Sequence, residues 1–175
     1  YENKIELISD LEKIAAPYAI GRDIHVGETI IGIKGRVGFQ AAAALIMIDS
    51  HYSLEKHVLS KWQQSWKEQL GNWYGMFVHE SQFYDPGMRD IEAFLDNSQR
   101  YVTGSVNIRL RPYHYNITGV ESKHDLMNSA FAKYGEENLS WGGNDVKGFT
   151  RIMSNAASIY YQVNKNEEKN LESDK

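Results

Sequence analysis

A chain of 175 residues with 42% hydrophobic side chains carries enough apolar surface for one cored domain with an appended element, and too little for two full-sized ones. Its formal net charge of -4 leaves no basic surplus to condense on a phosphate backbone, which argues against nucleic acid as a partner. The absence of cysteine excludes disulfides, thiolate metal sites and cysteine nucleophiles, and no apolar run approaches the roughly 20 residues that cross a bilayer, so the expectation is a cytoplasmic protein with no membrane partner.

In chain order, Ile5, Leu7, Ile8, Leu11, Ile14 and Ala15 recur at three- and four-residue steps and predict a first helix that Pro17 ends. The β-branched stretch from Ile24 to Ile33 predicts one strand, with Val26, Glu28 and Ile30 on one side and Gly27, Thr29 and Ile31 on the other. Ala41 to Ile48 is an unbroken apolar run, and Leu54, Val58, Trp62, Trp66, Leu70, Trp73 and Phe77 follow at helical spacing. They predict one long tryptophan-rich helix of about six turns, its aromatic row packed in a core or an interface. Asp85-Pro86-Gly87 breaks it, and Met88, Ile91, Phe94, Leu95 and Tyr101 mark another helix.

Val106, Ile108 and Leu110 alternate with polar residues, as do Tyr113, Tyr115 and Ile117, which predicts two half-solvated antiparallel strands. Ser122 with Asp125 resembles a helix start leading through Leu126, Met127, Ala130 and Phe131 to a stop at Gly135. Residues 136–145 read as a loop. Phe149, Ile152, Met153, Ala156, Tyr160 and Val163 form a last apolar stripe, which must be buried on its own domain or on a neighbouring subunit, and Lys165 to Lys175 should be solvated. The fold class is therefore α+β, antiparallel strands packed with several helices. The expected organisation is a domain over 1–145, an oligomerisation helix over 146–164 and a charged tail over 165–175.

Little conventional chemistry is legible. Gly27, Gly32, Gly35 and Gly38 lack the spacing of a phosphate-binding or dinucleotide-binding loop, so no ATP site is expected within the chain. The six histidines show no metal-ligand spacing, and no nucleophile elbow surrounds a serine, so no metal and no catalytic residue is expected. Glu28 stands out because a carboxylate flanked by Val26 and Ile30 calls for a cationic partner, either a ligand ammonium or an ordinary salt bridge at a strand end. Lys34 lies roughly 20 Å away along a straight strand and could meet Glu28 only if the chain turned.

The stretch Ile20-Gly21-Arg22-Asp23-Ile24-His25-Val26-Gly27-Glu28-Thr29-Ile30-Ile31-Gly32-Ile33-Lys34-Gly35-Arg36-Val37-Gly38-Phe39 resembles the strand and loop of argininosuccinate synthases, commonly G-R-x-D-x-V-E-N-R-x-x-G-x-K-S-R-G-x-Y-E, and more closely a divergent bacterial branch of them. The likeness continues through Asn72-Trp73-Tyr74-Gly75, Gly104-Ser105-Val106, Glu121-Ser122 with Asp125-Leu126, and Asp145 with Gly148-Phe149 and Ile152. The resemblance implies the C-terminal synthetase and multimerisation domain of a ligase that joins citrulline to aspartate in arginine biosynthesis. ATP adenylates the ureido oxygen with loss of pyrophosphate, and the aspartate amine then displaces AMP.

The resemblance further implies a homotetramer, and ATP and Mg2+ bound by the full-length enzyme at an N-terminal domain absent from this chain. The missing initiator methionine fits such a piece, which alone would be inactive. Where the family's Glu and Tyr contact citrulline, this chain has Gly27, with Glu28 one residue later, and Phe39. Glu28 is the implied partner of the citrulline ammonium and Phe39 a packing wall. A noncatalytic assembly or regulatory module on the same fold is the alternative that the shifted Glu and lost Tyr would suit.

Overall fold

Asn3 opens the first helix, α1 (Lys4–Ala15), where its side-chain oxygen accepts from the Ile5 amide at 2.9 Å and satisfies one of the free amides of the first turn. The computed structural model describes residues 3–28, 31–127 and 133–173. Pro17 ends α1 as expected, inside a 3-10 turn (Ala16–Tyr18) that leaves Ala19 left-handed and drops Ile20 into the interior. Gly21 follows at φ +71, and a Cβ there would stand 2.7 Å from the Ala41 carbonyl carbon. Only glycine fits that approach, which lets the Ala41 amide donate to the Gly21 carbonyl at 3.0 Å.

The single strand expected over Ile24–Ile33 is instead a hairpin, β1 (Arg22–Glu28) with β2 (Lys34–Gln40), antiparallel in a register running from Arg22 opposite Gln40 to Glu28 opposite Lys34. Gly32, at φ +75, lies in the reversal. Alternating β-branched residues suit one long strand and two short ones equally, and the glycine's access to positive φ decides between them.

The expected long helix is two. α2 (Ala42–Val58) has no side-chain cap of its own, and the Glu12 carboxylate of α1 accepts from the Ala43 amide at 2.8 Å in its place. It ends at Leu59. α3 (Lys61–His79) starts on a capping box in which Ser60 Oγ accepts from the Gln63 amide and Gln63 Oε1 from the Ser60 amide. The three tryptophans of that row belong to α3, and Trp62, Trp66 and Trp73 are 68%, 54% and 56% exposed, so they do not form this chain's core. α4 (Pro86–Gln99) begins at the predicted break, capped by Asp85.

The predicted strand pair is β3 (Ser105–Arg111) with β4 (His114–Glu121), with a bulge where Asn107 faces Gly119 but Ile108 faces Ile117. Gly104 precedes it because a Cβ there would lie 2.2 Å from the Glu121 carbonyl oxygen and 2.9 Å from Leu54 Cδ1. The core gathers Ala15, Ile20, Ala42 and Ile46, with Leu11, Ile108, Leu110 and Tyr115 packed against them, so α1, α2 and the β3–β4 hairpin share one apolar centre. The α+β class holds, with two two-stranded antiparallel sheets among the described residues.

Residues 122–127 form turns and not the start of a helix. Ser122 Oγ accepts from the His124 amide and Asp125 Oδ1 from the Met127 amide, local bonds that compete with helical ones. The rest of that expected helix, 128–132, lies outside the described residues. The chain divides into two compact units, Tyr1–Met127 and Asn128–Lys175. In the second, a 3-10 turn (Gly135–Glu137) precedes α5 (Gly143–Met153) and α6 (Asn155–Ser173). The helix expected over 146–164 is thus two, broken at Ser154, whose hydroxyl donates to the Arg151 carbonyl. α5 starts inside the expected loop because Asp145 accepts from the Gly142 amide at 2.9 Å. The backbone stays helical to Ser173, through most of the expected tail.

Candidate functional site

Two polar constellations stand out in the first unit, one closed and one open. The closed one centres on Glu55, which α2 carries into the layer between α3 and α4 with no exposed surface. Lys67 Nζ lies 2.8 Å from its Oε2, Gln99 Nε2 donates to its Oε1 at 2.8 Å, and His51 Nε2 stands 3.3 Å from Oε1. Burial pushes the Glu55 carboxyl upward, and the hydrogen bonds from His51 and Lys67 outweigh it, leaving the acid below its ordinary value. The same bond to Glu55 raises His51, against its partial burial. Every acceptor is engaged and no ligand can reach the carboxylate, so this cluster fastens helices.

The open constellation is on the β1–β2 hairpin. Strand pleating puts Asp23, His25 and Gly27 on one face with Phe39, Val37 and Gly35, their register partners. Against this face the C-terminal end of α3 presents His79, Glu80 and Ser81. Together His25, Gly27, Glu28, Gly35, Val37 and that tripeptide line a cavity of about 420 Å3, a volume suited to a small metabolite. The Gly27–Gly35 pair gives it a floor without side chains.

Glu28 also borders this cavity at the end of β1, with its side chain on the other face of the pleat from His25 and Gly27. The reversal of the chain brings Lys34 opposite it, with Nζ 3.7 Å from Oε1, so the strand-end salt bridge forms after all. Both side chains are mostly exposed, and such a pair contributes little stability and is readily exchanged for another partner. Phe39 is elsewhere. It sits across from Asp23 at the far end of the hairpin, on the face opposite to the side chain of Glu28, beside a shallow depression lined also by Arg22, Ile24, Gly38 and Gln40. The structure therefore does not bring Glu28 and Phe39 together. It aligns Gly27 with Phe39 on one face, as a separation of twelve across this register requires.

The residues that sequence reasoning missed are His25, His79 and Glu80. The first was legible as the same-face neighbour of Gly27; the other two are contributed by a distant helix end.

The family described as arginosuccinate synthase C-terminal domain matches residues 1–160, and so takes in both constellations. The chain belongs to the argininosuccinate synthase family. It is 33% identical over 160 residues to the argininosuccinate synthase of Xanthomonas campestris pv. campestris, covering 91% of this chain and 40% of that protein. Over 156 residues it is 33% identical to the argininosuccinate synthase of Dictyoglomus thermophilum, covering 89% of this chain and 39% of the relative. With that of Dehalococcoides mccartyi strain BAV1 the identity is 29% over 159 residues, 91% of this chain and 39% of the relative. The chain thus spans about two fifths of the argininosuccinate synthases it matches. No helix among its described residues is long and apolar enough to cross a membrane.

Proposed function

We propose that this chain is the substrate-positioning and assembly part of an argininosuccinate synthase, acting in the cytoplasm in arginine biosynthesis. In this reading the complete enzyme ligates citrulline and aspartate, with ATP converted to AMP and pyrophosphate. The observation that carries it is the coincidence of the family match with an open cavity on the strand pair that bears the family-like motif. Among the described residues no three His, Asp or Glu side chains gather where a metal could sit, and the reading assigns ATP and Mg2+ to the remainder of a full-length enzyme.

Within this chain, Glu28 exchanges Lys34 for the ammonium of citrulline at the strand end that borders the cavity. Fixing the amino-acid end holds the ureido group, several bonds away, where the activated phosphate is presented, so the contribution is orientation and not proton transfer. Phe39 contributes apolar surface at the far end of the same strand pair. The second unit supplies assembly. Phe149, Ile152 and Tyr160 are 64%, 75% and 63% exposed along α5 and α6, an apolar surface that a neighbouring copy would cover in a homotetramer. Replacing Ile152 and Tyr160 together by Asp should lower the particle mass in light scattering without loss of helicity.

One observation favours the noncatalytic module instead: Gly27 and Phe39 share a face, yet neither offers a polar side chain there. A single assay separates the readings. Protein made from the complete reading frame should release pyrophosphate from ATP only when citrulline is present, and Glu28→Gln should raise the citrulline KM about tenfold with the ATP KM unchanged. Absence of citrulline-dependent release would leave the module, and an unchanged citrulline KM would remove Glu28 as a ligand.

A further inference from the structure

The imidazole of His25 occupies a place that any other residue at position 27 would contest. His25 and Gly27 are same-face neighbours on β1, and the His25 Nε2 atom lies 2.7 Å from where a Cβ on residue 27 would stand. A Cβ does not stand that close to another heavy atom, so the ring can lean along the strand only because residue 27 has no side chain. The consequence is an imidazole nitrogen held over the bare Gly27–Gly35 floor, inside the cavity. Among the described residues the ring has no hydrogen bond or ion pair to hold it elsewhere. The other charged or titratable groups that border the cavity are Glu28 at the end of β1, whose side chain pairs with Lys34 on the other face of the pleat, and His79 and Glu80 on the α3 wall.

We infer that His25 is a specificity-determining residue of this cavity, its Nε2 donating to the carboxylate of an amino-acid ligand whose ammonium is held by a carboxylate that borders the cavity. An imidazole N–H recognises an anionic oxygen, and Glu28 and Glu80 recognise a cation, so the lining is complementary to a zwitterion and to neither charge alone. Gly27 and Gly35 let the backbone of the ligand lie flat against the sheet. Gly27 and His25 then act as a unit: the glycine is there to admit the ring. This assignment rests on the proposed reading that the chain holds the amino-acid end of citrulline.

Calorimetric titration of the chain with three ureido compounds tests it: L-citrulline, its decarboxylated analogue N-carbamoylputrescine, and its deaminated analogue δ-ureidovalerate. His25→Ala is expected to weaken L-citrulline and δ-ureidovalerate about tenfold and to leave N-carbamoylputrescine unchanged, because only the first two carry the carboxylate. His25→Gln, which keeps a side-chain donor, should recover part of the loss. Gly27→Ala, which forces the ring away without removing it, should reproduce the pattern of His25→Ala. Equal weakening of all three compounds, or none, overturns the assignment of His25 while the citrulline reading stands. If unaltered protein binds none of the three, the citrulline reading fails and the assignment with it.

Discussion

The α1–α2–β3–β4 layer and the β1–β2 hairpin are both parts of the first unit, and they use polar residues in opposite ways. In the layer, Ala15, Ile20, Ala42 and Ile46 are shut away from water, and Glu55, the one fully buried acid among the described residues, has both oxygens engaged, by Lys67 on one side and by His51 and Gln99 on the other. In the hairpin nearly every residue is exposed, the acid at the end of β1 has one loose partner among the described residues, and glycines replace side chains at Gly27 and Gly35. A buried carboxylate is committed to its partners because losing one leaves a charge without water. An exposed one can trade partners at small cost, which is what a ligand requires.

The sharpest way to break this contrast is to remove a partner from the closed cluster. Lys67→Met leaves the Glu55 carboxylate without its cation and should lower stability by about 3 kcal/mol, read from urea unfolding. Lys34→Met, the matching change at the hairpin tip, should leave the urea midpoint within error. Next in size is Gly104→Ala, where a methyl group must displace the Glu121 backbone carbonyl from 2.2 Å. The expected loss is about 2 kcal/mol, visible as a lowered thermal midpoint, because backbone cannot yield as a side-chain tip can.

A smaller, pH-dependent effect follows from the same cluster. His51 is raised when folded, so its contribution is complete below the ordinary histidine value and is lost as pH rises through the folded one. Glu55 is lowered, so its contribution is present above the ordinary carboxylate value and lost as pH falls through the folded one. Stability should therefore peak in the mildly acidic range between those two values and decline on both sides. His51→Gln should abolish the decline toward alkaline pH in urea midpoints measured from pH 5 to pH 9.

Much of the layer was legible in the sequence. The apolar stripe of α1 and its stop at Pro17, the alternation of β3 and β4, and Asp85-Pro86-Gly87 before α4 each carry a local signal that the fold obeys. The family-like motif lies within the residues that the family matches. What failed were the breaks inside periodic runs. Val58 and Trp62 keep helical spacing across the end of α2, although Ser60 and Gln63 spell a capping box that could have marked it. The hairpin reversal was hidden because alternation cannot distinguish one strand from two. The partners of Glu55 and the α3 wall of the cavity were not readable at all, since they meet across elements far apart in sequence and no local spacing encodes them.

In the proposed reading the hairpin cavity, and not the Glu55 cluster, is where this chain meets citrulline. Amide chemical-shift mapping of the 15N-labelled chain titrated with L-citrulline tests it most directly. Shifts are expected at His25, Gly27, Glu28, Gly35, Val37 and the His79–Ser81 segment, with the amides around Glu55 and Lys67 unmoved. Shifts centred on the Glu55 cluster, or on neither region, would contradict it.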